Sequence, residues 1–178
     1  MIIQLADLLR ASLRSEPGQL VTVDEELAIL EQYTNIERTR FGDRIRVAVE
    51  VDPNVRAARV PSFLLQPLVE NAIKHGMKGF TGPVLISVTV RSDGRMLRLR
   101  VQDNGRGIPA DKELGKADGV GISNVRRRLE ALYPKRHGFA VHNLDMGGCE
   151  ATVEIPLDAP PARKAPPAEQ AASRRETA

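Results

Sequence analysis

The sequence is poor in cysteine and in aromatic residues. It has a single cysteine, Cys149, no tryptophan and an aromatic share of 3% over 178 residues. One cysteine excludes both a disulfide framework within the chain and a cysteine-rich metal site. Cys149 lies in a predicted strand, which favours a small buried side chain. The core must be aliphatic, and the hydrophobic share of 42% allows that.

Long apolar runs and clustered charge are also lacking. No stretch approaches the roughly 20 apolar residues that span a bilayer. The first residues lack the basic and apolar regions of a signal peptide. The formal net charge is only +3, and the arginine run 126–128 follows a glycine loop, where phosphate is a nearer ligand than nucleic acid. We therefore expect a cytoplasmic domain without a direct nucleic-acid partner.

The hydrophobic pattern predicts helices that alternate with hairpins. A capping box, Thr22 with Glu25, opens the second predicted helix. The predicted helices span about 2–13, 22–40, 63–77 and 124–132, and the predicted strands 44–51, 84–91, 96–102, 139–143 and 149–156. Because most strands pair in hairpins, we expect an α/β fold whose mixed, mostly antiparallel sheet carries helices on one face. Residues 158–178 lack an aliphatic period and predict a disordered tail.

The helix predicted at 63–77 carries polar side chains on one edge. Asn71, Lys74 and His75 are spaced three and four residues apart, so all three can approach one ligand. An amide oxygen suits Mg²⁺, and a lysine meets phosphate as a point charge. Glu70 is either a general base or, the alternative that we favour, an ion-pair partner of Lys74. Taken alone, the segment also fits the polar face of a surface helix.

A carboxylate and two glycines follow the strand predicted at 96–102. At the end of that strand Asp103 can accept a hydrogen bond from the exocyclic amine of adenine. Gly105 and Gly107 let the backbone come close to a ligand and adopt positive φ. An ordinary Asp-Asn-Gly turn is the alternative for this segment.

A second pair of glycines precedes a predicted helix. Gly119 and Gly121 stand before Ser123 and Asn124, where we expect the helix to begin. The free N–H groups and positive dipole end of a helix N-terminus suit phosphate. A lone Gly-x-Gly is weak evidence, but the three segments together supply metal, base and phosphate contacts. The sequence therefore predicts a nucleotide site.

The same three segments resemble motifs of a known superfamily. LLQPLVENAIKHG is similar to the N box, and DNGRG and GVGISNVRRRL to the two glycine boxes, of the GHKL ATP-binding domains. That superfamily includes sensor histidine kinases, gyrase-type topoisomerases, MutL and the 90-kDa heat-shock chaperones. The run TVDEELAILEQYTNIERTRFGDRI resembles the segment before the N box in LytS-type kinases. The resemblance covers about residues 1–157 and implies a Bergerat fold, a two-layer α/β sandwich.

The resemblance also implies roles for individual residues, with ATP and Mg²⁺ as cofactors. Asn71 would hold Mg²⁺ and Lys74 would contact phosphate, which makes these two the catalytic residues. The base end of the site would be formed by Asp103, which reads adenine, by Gly105 and Gly107 beneath it, and by His75 near the base or ribose. Gly119 and Gly121 would close a lid, residues 109–119, onto the phosphates.

Two departures from the superfamily shape the functional prediction. Members that hydrolyse ATP carry a catalytic glutamate four residues before the metal-binding asparagine, where this sequence has Pro67. The phosphoacceptor box of the kinases is also missing, and none of His75, His137 and His142 has the context of an acceptor. We therefore expect transfer to a side chain outside this sequence rather than hydrolysis.

The predicted organisation follows from those departures. Residues 1–20 would be the remnant of a dimerisation and phosphoacceptor helix, residues 21–157 the ATP-binding kinase domain, and residues 158–178 the tail. The predicted reaction is phosphoryl transfer from Mg-ATP to a histidine and onward to a response regulator, in a homodimeric, membrane-associated parent. A stand-alone Ser/Thr kinase of the anti-sigma type and a non-catalytic nucleotide-binding module are the alternatives.

Overall fold

The computed structural model describes residues 19–108 and 120–157. The helix predicted at 2–13, the lid at 109–119 and the tail at 158–178 lie outside the described residues. The described helices are α1 Val23–Phe41, α2 Leu65–Gly76 and α3 Val120–Leu132. The strands are β1 Leu20–Thr22, β2 Ile45–Val51, β3 Arg59–Pro61, β4 Val84–Ser92, β5 Met96–Asp103, β6 Gly138–Asn143 and β7 Cys149–Pro156, and two 3₁₀ turns span Gly42–Arg44 and Pro53–Val55.

Five of the strands form one sheet in the order β2-β4-β5-β7-β6. Strand β2 runs parallel to β4, and the other neighbours are antiparallel. The prediction of a mixed, mostly antiparallel sheet is confirmed. Strands β1 and β3 pair with each other in a separate two-stranded sheet. The sequence pattern missed both, because three residues are too few to show a period of two.

The main sheet is covered by helices on one face. Along β4, Ile86, Val88 and Val90 are buried, whereas Leu85 on the opposite face is 46% exposed. That open face carries paired charges instead, such as Arg98 and Glu154, whose Nε and Oε1 atoms lie 2.7 Å apart. The burial pattern confirms the two-layer α/β sandwich with helices on one face. None of the helices that the structure describes is both long and apolar enough to cross a membrane.

Two helix starts differ in how well the sequence predicted them. The capping box of α1 is confirmed: the Thr22 N–H donates to Glu25 Oε2 at 2.7 Å, and the Glu25 N–H donates to Thr22 Oγ1 at 3.1 Å. The predicted start of α3 near Asn124 is wrong, because the helix already begins at Val120. Gly121 lies in its first turn, where a Cβ would be 3.3 Å from Pro67 Cβ of α2. The two helices meet closely there, and this packing outweighs the poor helix propensity of glycine.

Candidate functional site

The last turn of α2 lies directly against the loop that follows β5. A Cβ built on Gly105 would be 2.7 Å from Gly76 Cα and 2.9 Å from Asp103 Oδ1. On its other side, a Cβ on Gly76 would be 2.7 Å from Val84 Cγ1. Real Cβ atoms do not approach that closely, so both positions require glycine. This contact brings the polar end of α2 to the carboxyl end of β5.

Asp103 is a buried carboxylate with a fixed direction. Its side chain is at the end of β5 and the residue is only 9% exposed. Oδ1 accepts a hydrogen bond of 2.8 Å from the Gly105 N–H. Burial raises the pKa of Asp103, and backbone donors at Gly105 and Cys149 and the nearby His75 partly offset that rise. The backbone therefore orients a carboxylate that can accept a hydrogen bond from a ligand.

The hairpin between β6 and β7 packs against the backbone of Asp103. A Cβ on Gly148 would be 1.9 Å from the Asp103 carbonyl oxygen, and both Gly147 and Gly148 have φ near +90° (91° and 90°). From the sequence we expected only a hairpin turn between the strands predicted at 139–143 and 149–156. The other function of these glycines, to let the turn lie against the strand end, depends on a contact between distant segments, which no local pattern reveals.

Asn143, at the end of β6, holds the loop that follows β5 through two hydrogen bonds with Ile108. Its Oδ1 accepts from the Ile108 N–H at 2.6 Å, and its Nδ2 donates to the Ile108 carbonyl at 2.8 Å. The backbone of Gly107, with φ +75°, lies close to this amide. A Cβ built on Gly107 would be 2.7 Å from Asn143 Oδ1. The sequence analysis did not single out Asn143. Its position before a Gly-Gly turn is the only local signal.

The three predicted residues of α2 lie in its last two turns, ahead of the contact between Gly76 and Gly105. Asn71 is half-buried, and Lys74 and His75 are exposed. The spacing puts them on one edge, next to the Gly76 contact, and the charge of His75 acts on Asp103.

Glu70 interacts with the neighbouring helix. Burial raises the pKa of Tyr33 on α1, and the charges of Glu37 and Glu70 raise it further. Among the ion pairs of the described residues there is none between Glu70 and Lys74. The favoured interpretation of Glu70 as the ion-pair partner of Lys74 is therefore wrong, although their spacing of four residues would allow that pair.

The chemistry of these groups fits a magnesium nucleotide. The described residues contain no cluster of three or more His, Cys, Asp or Glu side chains that could hold a metal by itself. A Mg²⁺ ion beside Asn71 would therefore take most of its oxygen ligands from phosphates and water, as Mg²⁺ usually does. Gly121 of α3 lies against Pro67 of α2, where a built Cβ would be 3.3 Å from Pro67 Cβ, whereas Gly119 lies outside the described residues.

Sequence comparisons agree with this geometry. Residues 57–159 match the family described as histidine kinase-, DNA gyrase B- and HSP90-like ATPase, and residues 1–45 match the histidine kinase family. The first match covers more than half of the chain. The chain therefore belongs to this family of ATPases.

Individual relatives narrow the class to sensor kinases. The chain is 30% identical to the sensor protein LytS of Enterococcus faecalis over 167 residues, which cover 89% of this chain and 28% of the relative. It is 31% identical to the sensor histidine kinase YesM of Bacillus subtilis, over 88% of this chain and 27% of that protein. The resemblance to LytS-type kinases is confirmed. The chain spans little more than a quarter of the length of these relatives.

A solved structure supports the fold alone. The histidine kinase domain of a blue-light activated kinase from Erythrobacter litoralis superposes with a TM-score of 0.62 at 21% identity, covering 86% of this chain and 73% of that one. The predicted Bergerat sandwich is confirmed.

Proposed function

We propose that residues 21–157 form the ATP-binding catalytic domain of a sensor histidine kinase, which transfers a phosphoryl group from Mg-ATP to a histidine outside this sequence. The observation that carries the proposal is the contact between Gly76 and Gly105. We take this contact to set the edge of α2 that bears Asn71 and Lys74 beside the oriented carboxylate of Asp103. A nucleotide that spans this contact has its base at one end and its phosphates at the other.

At the base end, Asp103 accepts a hydrogen bond from the exocyclic amine of adenine. Its Oδ1 is held by Gly105, so the carboxylate does not need to reorient when the base binds. Gly105 and Gly107 form the floor beneath the base, and His75 lies near the base or the ribose. Because the residue is buried, an unmet hydrogen bond at Asp103 is costly and the preference for adenine is strong.

At the phosphate end, Asn71 would hold Mg²⁺ through its amide oxygen and Lys74 would contact a phosphate. The metal, when bound, would neutralise the charge that develops on the phosphoryl group. Gly119 and Gly121 would contact the phosphates. The protein contributes mostly positioning and electrostatic stabilisation, as is usual in phosphoryl transfer.

The proposed acceptor is a protein side chain rather than water. Pro67 cannot act as a base, and its ring packs against Gly121 of α3. Glu70 acts electrostatically on Tyr33 of α1. The position four residues before Asn71 therefore provides no carboxylate that would activate water for hydrolysis. The partners would be a phosphoacceptor and dimerisation segment of the parent kinase, then a response regulator, and the parent would be a membrane-associated homodimer with this domain in the cytoplasm.

A transfer assay tests the proposal. The chain is incubated with ATP labelled in the γ-phosphate and with a separately expressed acceptor-helix segment of a LytS-type relative. We expect Mg²⁺-dependent label on the segment that is lost in acid and kept in base, as for phosphohistidine. Asn71→Ala and Asp103→Asn should both reduce the labelling.

Two outcomes would contradict it. Acid-stable label on serine or threonine would favour a kinase of the anti-sigma type. Nucleotide binding without any transfer would favour a non-catalytic nucleotide-binding module.

A further inference from the structure

A glutamate of α1 caps the beginning of α2. Glu26 is 1% exposed, and its carboxylate accepts three hydrogen bonds from consecutive backbone N–H groups. Phe63 donates to Oε2 at 2.8 Å, and Leu64 and Leu65 donate to Oε1 at 2.6 and 2.7 Å. The first N–H groups of a helix have no partner within the helix, and α2 has no side-chain cap of its own at Leu64. A residue 37 to 39 positions earlier in the chain therefore provides the cap.

The third helix contributes an arginine at the same place. Arg128 of α3 donates a hydrogen bond to the Ser62 carbonyl, next to the capped N–H groups. Its charge attracts that of Glu26, although burial on balance raises the pKa of Glu26 and lowers that of Arg128. All three helices thus meet at residues 62–65, where the buried Glu26 of α1 and the half-buried Arg128 of α3 both bond to the backbone that leads into α2.

The backbone at this junction is strained. Phe63 has φ +56° although it is not a glycine, a conformation that costs a bulky residue free energy. Such a conformation persists only where the surroundings fix it. The Phe63 N–H is one of the three groups that Glu26 holds, so the strained residue and the cap belong to the same arrangement.

We propose that Glu26, assisted by Arg128, is a positioning residue of the nucleotide site, which fixes the start of α2 and so places Asn71 and Lys74 opposite Asp103. The inference rests on the proposed function of that site. Asn71 lies six residues beyond Leu65, about 9 Å along the helix axis, so a small rotation at the capped end moves its amide relative to Asp103.

If Glu26 and Arg128 only stabilised the fold, there would be no reason for charged residues at these two positions. Buried charges lose much of their attraction to desolvation, and apolar residues of similar volume often stabilise a core equally well. A carboxylate that receives three N–H groups imposes a direction, which an apolar contact does not. Orientation of α2 is therefore what the charged arrangement adds.

The test compares two adjacent glutamates of the 178-residue chain. Glu26→Gln keeps the shape but removes the charge and turns an NH₂ group toward a backbone N–H. Glu25→Gln is the matched control, because Glu25 is exposed and bonds only to Thr22, the cap of α1 itself. Each variant is examined by hydrogen exchange of the amides of 63–76 and by titration with the β,γ-imido analogue of ATP and Mg²⁺, under conditions where it is fully folded.

We expect Glu26→Gln to speed exchange in the first half of α2 and to weaken binding of the analogue about tenfold, the loss typical of one charged hydrogen bond. Glu25→Gln should change neither. If both variants show the same exchange and the same affinity, the inference is overturned. If the unmodified chain binds no nucleotide, the proposed function fails, whereas the exchange comparison still decides whether Glu26 holds α2.

A second pair of variants covers the case in which Glu26→Gln does not fold. Arg128→Met removes the donor to Ser62, and Arg128→Lys restores a charged donor. Weaker binding by the methionine variant, with partial rescue by lysine, would support a positioning role. Equal affinities of these two variants would contradict it.

Discussion

The two ends of α2 are held by opposite means. At its N-terminal end a buried charge, Glu26, binds three backbone N–H groups. At its C-terminal end the contact is made by two glycines, because Gly76 packs directly on Gly105. The charged side chain of Glu26 fixes the direction of the helix at a distance from the ligand. The glycines, which have no side chain, allow the backbone to come close enough to contact the ligand. The contrast teaches that one end of this helix orients the site and the other end forms it.

The two ends should also fail differently. The charged end can be weakened by changing one atom, an oxygen to a nitrogen, without altering the packing. The glycine end can be broken only by adding atoms to a region that is already filled.

The largest effect is expected where the glycine contacts are tightest. Gly148→Ala would set a Cβ 1.9 Å from the Asp103 carbonyl and should lower the free energy of unfolding by about 3 kcal/mol or more. Gly147→Ala is the control, because it shares the positive φ but has only the Gly105 oxygen at 3.7 Å. That control should lose about 1 kcal/mol from backbone strain alone. Urea unfolding measures both losses, and equal losses would show that the hairpin turn is not pressed on the strand end.

Asp103→Asn tests the base end of the site. Loss of a charged hydrogen bond costs about 1.5–3 kcal/mol, so ATP should bind roughly tenfold more weakly or worse. Inosine triphosphate lacks the exocyclic amine and should lose much less. Calorimetry with both nucleotides decides the question, and equal losses would remove the adenine-reading role of Asp103.

Asn71→Ala tests the phosphate end. The variant should fold normally, since the side chain is only half-buried, but it should lose the part of the ATP affinity that depends on Mg²⁺. A decrease of about tenfold is expected with Mg²⁺ present and little change with a chelator. Glu70→Gln, one residue away, should keep the metal dependence. An unchanged Mg²⁺ effect in Asn71→Ala would refute the metal role.

The raised pKa of Asp103 predicts a pH dependence of stability. A group whose pKa is higher in the folded chain contributes stability that is present below its unfolded pKa, about 3.9 for aspartate, and lost as the pH rises through the folded value. The unfolding free energy of the unmodified chain, minus that of Asp103→Asn, should therefore fall as the pH rises through this window. A difference that rises instead would mean that hydrogen bonding outweighs burial at this carboxyl.

The smallest effect is expected at an exposed pair in the same turn as Glu26. Asp24 Oδ1 lies 2.8 Å from Arg56 Nη1, but both side chains are about half exposed (54% and 53%). Such pairs contribute about 0–1 kcal/mol, so Asp24→Asn should barely change unfolding in urea and should leave α2 exchange unaltered. If Asp24→Asn lowered the free energy of unfolding as much as Glu26→Gln does, the buried and exposed acidic residues of α1 would not differ in their contribution.

The sequence predicted those elements that repeat a pattern over several residues. The alternation of β4 and β5 and the capping box at Thr22 identified strands and a helix start without any tertiary information. The strands β1 and β3 were too short for a period, and the start of α3 depends on the packing of Gly121 against Pro67.

The site was predicted where its residues are close in sequence and missed where they are not. Asn71, Lys74 and His75 are neighbours on one helix, and Asp103 and Gly105 on one loop, although their roles remain predictions. Glu26 gave no signal, because Asp24, Glu25 and Glu26 together suggest a solvated helix start. Its partners follow nearly forty residues later, and only the folded chain brings them together.

The most direct test of the central claim is a calorimetric titration of the chain with the β,γ-imido analogue of ATP, in the presence and absence of Mg²⁺. The account predicts binding in the micromolar to submillimolar range that strengthens with Mg²⁺ and is weakened by Asp103→Asn. A folded chain that binds no nucleotide under either condition would contradict the assignment of the α2 and β5 junction as a nucleotide site.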